Sequence, residues 1–212
     1  MENQRGVERL IFFTDAVVAI AITLLILPLV EIVTTDASKA HPTPIGTFVL
    51  DNLGQLFAFA LSFAIIARFW IANHEILLNT VEVSAALMWL DIAWVFTIVV
   101  LPLPTEITAA YPPSLTTVSI YIGNGFLSTI LLTAIAWYLH RHPAMQRKDA
   151  PISGAQIWGI GTTAIGFLVA FALAWIFPSL HYNSLFVLLL TFPADMIAKP
   201  RIRRREAARA QN

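Results

Sequence analysis

Cysteine is absent from the 212-residue chain, so it holds no disulfide framework and no thiolate metal site. Charge is scarce. Asp, Glu, Lys and Arg make up 12% of the residues, against about 25% in a soluble domain. Neither sign is in excess, with thirteen basic and thirteen acidic residues, and no basic surplus suits nucleic acid. The five histidines show no ligand spacing. His74-Glu75 would suggest a zinc helix only with a second His four residues after the first, and that position is Leu78. There is no Gly-x-Ser-x-Gly elbow and no phosphate loop, and Gly159, Gly161 and Gly166 do not make a dinucleotide fingerprint. These absences point away from an enzyme, and no metal or cofactor is expected.

Apolar residues are what the chain has instead, at 58% with a mean hydropathy of +0.73. One core of this size cannot hide that much apolar surface, so the chain reads as an all-α integral membrane protein. Nothing is charged between Asp15 and Glu31, between Asp51 and Arg68, or between Asp91 and Glu106. Residues 107–140 and 150–194 carry no formal charge either. A spanning helix needs roughly 20 mostly apolar residues. The pattern predicts six helices, about 10–31, 51–72, 84–104, 115–139, 155–177 and 180–198, forming a single domain over 1–199. Runs such as AVVAIAITLLIL do not alternate as barrel strands would.

With both termini inside, twelve of the thirteen basic residues fall on the inner side and only Lys39 lies outside. That asymmetry orients the chain with cytoplasmic ends in the cell (inner or plasma) membrane. Trp70, Trp89, Trp137, Trp158 and Trp175 fall near predicted span ends, where interfacial Trp belongs. The first apolar run contains Asp15, is too long for a signal peptide and lacks a cleavage site, so the first helix is expected to stay. The tail, residues 200–212, reads as a basic cytoplasmic segment lying against anionic lipid.

Ionisable residues inside spans are costly and are functional candidates by default. Arg9 and Asp15 lie on the first helix but point about 120° apart, so they do not pair with each other. Each needs partners on neighbouring helices. At the same depth the second helix carries Trp70, Asn73 and His74, and the third carries Asp91. Arg9, Thr14, Asp15, Trp70, Asn73, His74 and Asp91 then form either one buried polar cluster or separate interfacial residues reaching toward water. Further along the first helix, Ile20, Thr23, Leu24 and Leu27 share one face, and Glu31 continues it by a turn. Two readings stay open. One is a packing face, with Thr23 bonded to its own backbone four residues back. The other is a pore wall with apolar rings that gate by dewetting, a hydroxyl ring and an acidic outer mouth.

The stretch RLIFFTDAVVAIAITLLILPL resembles the first helix of the transmembrane protein 175 family, whose signature is Arg-x-x-x-Phe-Ser-Asp. Arg9, Phe13 and Asp15 match, and Thr14 stands where Ser is usual. FAFALSFAIIARFWIANHE is similar to the family's aromatic-Trp-His segment. LMWLDIAWVFTIVVLPLPTE resembles its third helix, with Asp91 in place of the common Asn. The resemblance covers about residues 5–107. It implies a potassium-selective leak channel, consistent with the absence of the glycine-rich filter of ordinary potassium channels. Bacterial members carry one six-helix repeat and form homotetramers whose first helices line the pore, with monovalent cations, potassium above all, as the permeant species. On this chain the constriction maps onto Ile20 and Leu27, with Leu24 on the same face. Thr23 takes the hydroxyl layer, and Arg9, Phe13, Thr14 and Asp15 take a structural network outside the ion path. The rival reading is a proton- or cation-coupled secondary transporter using Asp15, His74 and Asp91. Such a carrier usually shows inverted repeats and helices broken at mid-membrane; neither is evident, although Pro28 could kink the first helix.

Overall fold

The computed structural model describes residues 2–112, 114–149 and 151–176. The helix expected over 180–198 and the basic tail of 200–212 lie outside the described residues. Among the described residues eight α-helices run in order: α1 (Glu2–Leu24), α2 (Leu27–Ala37), α3 (Ile45–Asp51), α4 (Leu53–Leu78), α5 (Ala85–Val100), α6 (Pro102–Ala110), α7 (Leu115–Arg141) and α8 (Gly154–Ile176). They make five spans long and apolar enough to cross a membrane: Gln4–Ala37, Leu53–Leu78, Ala85–Ala110, Leu115–Arg141 and Gln156–Ile176. The chain is a multi-pass membrane protein.

Two spans are broken, each at a proline. Pro28 has no N–H to give Leu24, and its ring crowds that carbonyl. The end of α1 therefore tightens: Leu25 N donates to the Ile22 carbonyl and Ile26 N to the Thr23 carbonyl, both at 3.3 Å. The chain restarts as α2 with Pro28 in its first turn. Pro102 acts in the same way between α5 and α6, where Leu101 N reaches back three residues to the Ile98 carbonyl at 3.2 Å. The two breaks border one small recess, lined among others by Leu25, Pro28, Phe59, Pro102 and Glu106. Helix starts follow ordinary capping chemistry. Ser84 Oγ accepts from Leu87 N at the head of α5, and Ser114 with Thr117 closes a capping box at the head of α7.

The core joins α4, α5, α7 and α8 around Ile66, Phe69, Trp94, Ile98, Leu132 and Phe167, all buried. Hydroxyls tie the layers where lipid offers no partner. Ser62 on α4 bonds Thr105 on α6 at 2.8 Å and Tyr121 on α7 at 3.0 Å. Thr97 on α5 bonds Ser128 on α7. α1 packs against α4 and α5. At the far side of the bundle, α7 and α8 come close because Gly125 has no side chain, and a Cβ there would collide with the ring of Phe167. Phe167 is itself buried and stacked 6.1 Å from Phe69. Gly125→Val is expected to cost about 1–3 kcal/mol, read as a lowered thermal midpoint in mild detergent. An unchanged midpoint would show that α7 and α8 are not in close contact there.

Candidate functional site

α1 has two faces of different chemistry. Val7, Leu10, Ile11, Thr14, Val18, Ala21 and Leu25 are buried against the rest of the chain. Phe12, Phe13, Ile20, Leu24 and, past the break, Leu27 are exposed on the other side. Ile20 is 59% exposed and Leu27 56%. Thr23 lies on the exposed side, and its hydroxyl donates to the Ile20 carbonyl at 2.8 Å. That bond reaches three residues back, where the sequence suggested four. Donating its one proton inward leaves the lone pairs of the Thr23 oxygen free to accept. Glu31 is exposed on α2. Val17 is half-buried and packs against the core.

The buried face of α1 is held by two carboxylate nodes on consecutive residues. At the first, Thr14 Oγ1 donates to Asp91 Oδ2 at 2.6 Å and Asn73 Nδ2 donates to Asp91 Oδ1 at 2.8 Å. Asp91 and Asn73 are fully buried and Thr14 nearly so, and the node joins α1, α4 and α5. At the second, Trp70 Nε1 donates to Asp15 Oδ1 at 2.7 Å, and His74 Nδ1 lies 3.2 Å from the same oxygen. Trp70 and His74 are a turn apart on α4 with ring centroids 5.4 Å apart, so they meet Asp15 side by side. Asp15 and His74 keep about a third of their side chains exposed. Six of the eight residues expected in a structural network thus meet at the two nodes. Arg9 and Phe13 lie on the exposed side of α1 and belong to neither.

The hydroxyl links Ser62–Thr105, Ser62–Tyr121 and Thr97–Ser128 were not anticipated from the sequence. Among the described residues, no group of three His, Cys, Asp or Glu side chains is set to hold a metal ion.

The sequence model of the family described as endosomal/lysosomal potassium channel TMEM175 matches residues 9–102, the segment that contains both nodes and the exposed face of α1. A potassium channel of Streptomyces collinus is 26% identical over 212 residues, covering 97% of this chain and 98% of that one. A potassium channel of Chamaesiphon minutus is 28% identical over 203 residues, covering 90% and 95%. The fold is similar to the crystal structure of a lysosomal potassium-selective channel TMEM175 homolog from Chamaesiphon minutus, with a TM-score of 0.67, 25% identity, and coverage of 93% of this chain and 98% of that one.

The first node yields a graded stability series. Asp91→Ala orphans both Thr14 and Asn73, at about 1–3 kcal/mol for each buried group left unpaired. Asp91→Asn keeps an acceptor for one of them and should cost less. Arg9→Ala, on the exposed side, should cost less than Asp91→Ala in the isolated chain. Thermal midpoints in detergent rank the three, and an Asp91→Ala midpoint equal to wild type would mean the node carries no stability.

Proposed function

We propose that the chain is a potassium-selective leak channel of the TMEM175 type, a homotetramer with α1 around the central axis and both termini cytoplasmic. It is not an enzyme, since the family and the relatives are ion channels. The observation that carries the pore assignment is the bare face of α1. This helix is anchored by two polar nodes on one side, yet presents Ile20, Thr23, Leu24 and Leu27 on the other, uncovered by the rest of the described residues. Four copies around an axis would cover that face with itself. Lipid could cover an apolar stripe as well, but an accepting hydroxyl and, beyond it, Glu31 suit a water-filled path better than acyl chains.

On this reading Ile20 makes the narrowest apolar ring, with Leu24 and Leu27 following outward. An apolar ring offers an ion nothing in place of its hydration water, so the narrow state dewets and blocks. Conduction needs a wider, wetted state reached by small tilts of α1. Thr23 lies one turn from Ile20 with its proton already donated, so its oxygen faces the path as an acceptor for water or a partly dehydrated cation. Four Glu31 carboxylates at the outer mouth raise the local cation concentration. Selectivity then rests on hydration cost and one hydroxyl layer rather than on a cage of backbone carbonyls, and should be modest. The carrier reading, with Asp15, His74 and Asp91 as its titrating groups, is not favoured, because the relatives are named as channels.

Two measurements test this. Mass determination in mild detergent should give four chains, and a monomer that still conducts would end the assignment. In vesicle flux normalised to tetramer, Ile20→Asn should raise current and reduce potassium preference over sodium. Thr23→Ala should lower selectivity while the barrier persists, and Val17→Asn should matter less because Val17 faces the core. Unchanged flux and selectivity in both Ile20→Asn and Thr23→Ala would remove this face from the ion path.

A further inference from the structure

At the end of the bundle opposite Glu31, two connections are stitched together by bonds that neither the fold class nor the pore reading requires. Residues 79–82 and 145–147 run antiparallel with Thr80 opposite Gln146. Val81 N donates to the Met145 carbonyl and Arg147 N to the Asn79 carbonyl, both at 2.8 Å. These bonds flank Thr80 and Gln146, which makes them a non-hydrogen-bonded pair, the closer of the two kinds. Both residues are buried. The Gln146 amide then reaches in two further directions. Its Nε2 donates to the Leu139 carbonyl at the end of α7, and its Oε1 accepts from Ile152 N, just before α8, at 2.7 Å. His140 Nδ1 bonds the Ile152 carbonyl at 2.9 Å on the same stretch. The Gln146 side chain therefore ties its segment to the end of α7 and the lead-in to α8, while the backbones of its neighbours Met145 and Arg147 tie the same segment to the α4–α5 connection.

That connection touches the helix we assign to the pore. Val83, three residues past Thr80, packs on a small separate cluster of Val7, Leu10, Ile11 and Leu77. Three of those four belong to the first turns of α1. Ser84, next in the chain, caps α5 and bonds the Tyr138 hydroxyl at 2.9 Å. The end of α1 beyond the carboxylate nodes thus rests on a shelf, and the position of that shelf is set by the stitch at Gln146.

We propose that Gln146 is a positioning residue of the channel, a latch that holds the inner end of α1 in the narrow-pore arrangement and must loosen for α1 to tilt. The inference rests on the pore reading above. It assigns a mechanical role to a connection far from the apolar rings, and makes α7 and α8 part of the gate through backbone bonds rather than through contact with the pore.

The chain has no cysteine, so a cysteine pair can be placed on the bridge without background. A non-hydrogen-bonded antiparallel pair has its Cα atoms about 4.5 Å apart, within disulfide reach. Thr80→Cys with Gln146→Cys removes the amide while reduced and, when oxidised, locks the segment to the α4–α5 connection by a covalent tie in its place. In vesicle potassium flux, the reduced variant should conduct at least about fivefold more than wild type, the scale of one buried hydrogen bond. Oxidation should bring the current to the wild-type level or below, and reductant should raise it again in the same vesicles. Thiol labelling with a maleimide reports whether the bond has formed. Gln146→Met, close in size but without either bond, should raise the current and keeps the test open if the cysteine pair does not assemble. Equal currents in the reduced and verified oxidised states, or a Gln146→Met current equal to wild type, would overturn the latch. Absence of flux from wild type itself would strike the pore reading instead.

Discussion

A carboxylate inside an apolar bundle stays there only if donors meet it, because no water is at hand to do so. Asp91 meets that condition with two donors from two different helices, Thr14 on α1 and Asn73 on α4. Removing either donor leaves a buried acceptor short, so the three helices are fixed relative to one another more tightly than apolar packing alone would fix them. Lipid tails are as apolar as leucine, and greasy contact between helices gives little preference for one rotation over another. The Asp15 node adds a second constraint one residue along, using the indole of Trp70 and the imidazole of His74. Apolar neighbours such as Val18 and Ala21 then fill the space the nodes define.

Below and above this anchor α1 is treated differently. Toward its start, Val7, Leu10 and Ile11 rest on Leu77 and Val83, a cluster separate from the main core. Past Leu24 the helix breaks and resumes as α2 at Leu27. Pro28 and Pro102 border one recess, which residues of α2 and α6 line together. α1 is thus pinned in the middle by polar bonds, shelved at one end and broken at the other.

Much of this was legible in the residues. Charge-free runs located the spans because a membrane tolerates few charges, and the five spans found among the described residues correspond to the first five expected. Their ends were less legible. α1 begins well before residue 10 because its first turns are amphipathic rather than apolar, and only the structure shows Leu77 and Val83 covering them. Proline in a span marks a break, but not that the chain resumes as a helix, as it does at Leu27 and Pro102. The polar residues at one depth were legible as a group, while their division into two nodes was not, since depth does not reveal azimuth on three helices at once. Gln146 carried no signal: an amide in a basic loop reads as solvated, and its burial depends on a bridge between segments 66 residues apart in the sequence.

Azimuth also explains why the anchor and the bare face belong to one design. Successive residues turn by about 100°, so Thr23, nine residues after Thr14, points about 180° away from it. Thr14 is turned inward by Asp91, and Thr23 must therefore face outward, as it does. Ile20, six residues after Thr14, lies about 120° from it and about 60° from Thr23, which puts the apolar ring and the hydroxyl on adjoining parts of the same surface. Turning α1 by one residue would carry Thr23 toward a neighbouring helix and would break both nodes together. The buried polar bonds thus select which residues of an otherwise greasy helix are left facing away from the chain. The pore proposed here inherits its lining from interactions on the opposite side of the same helix.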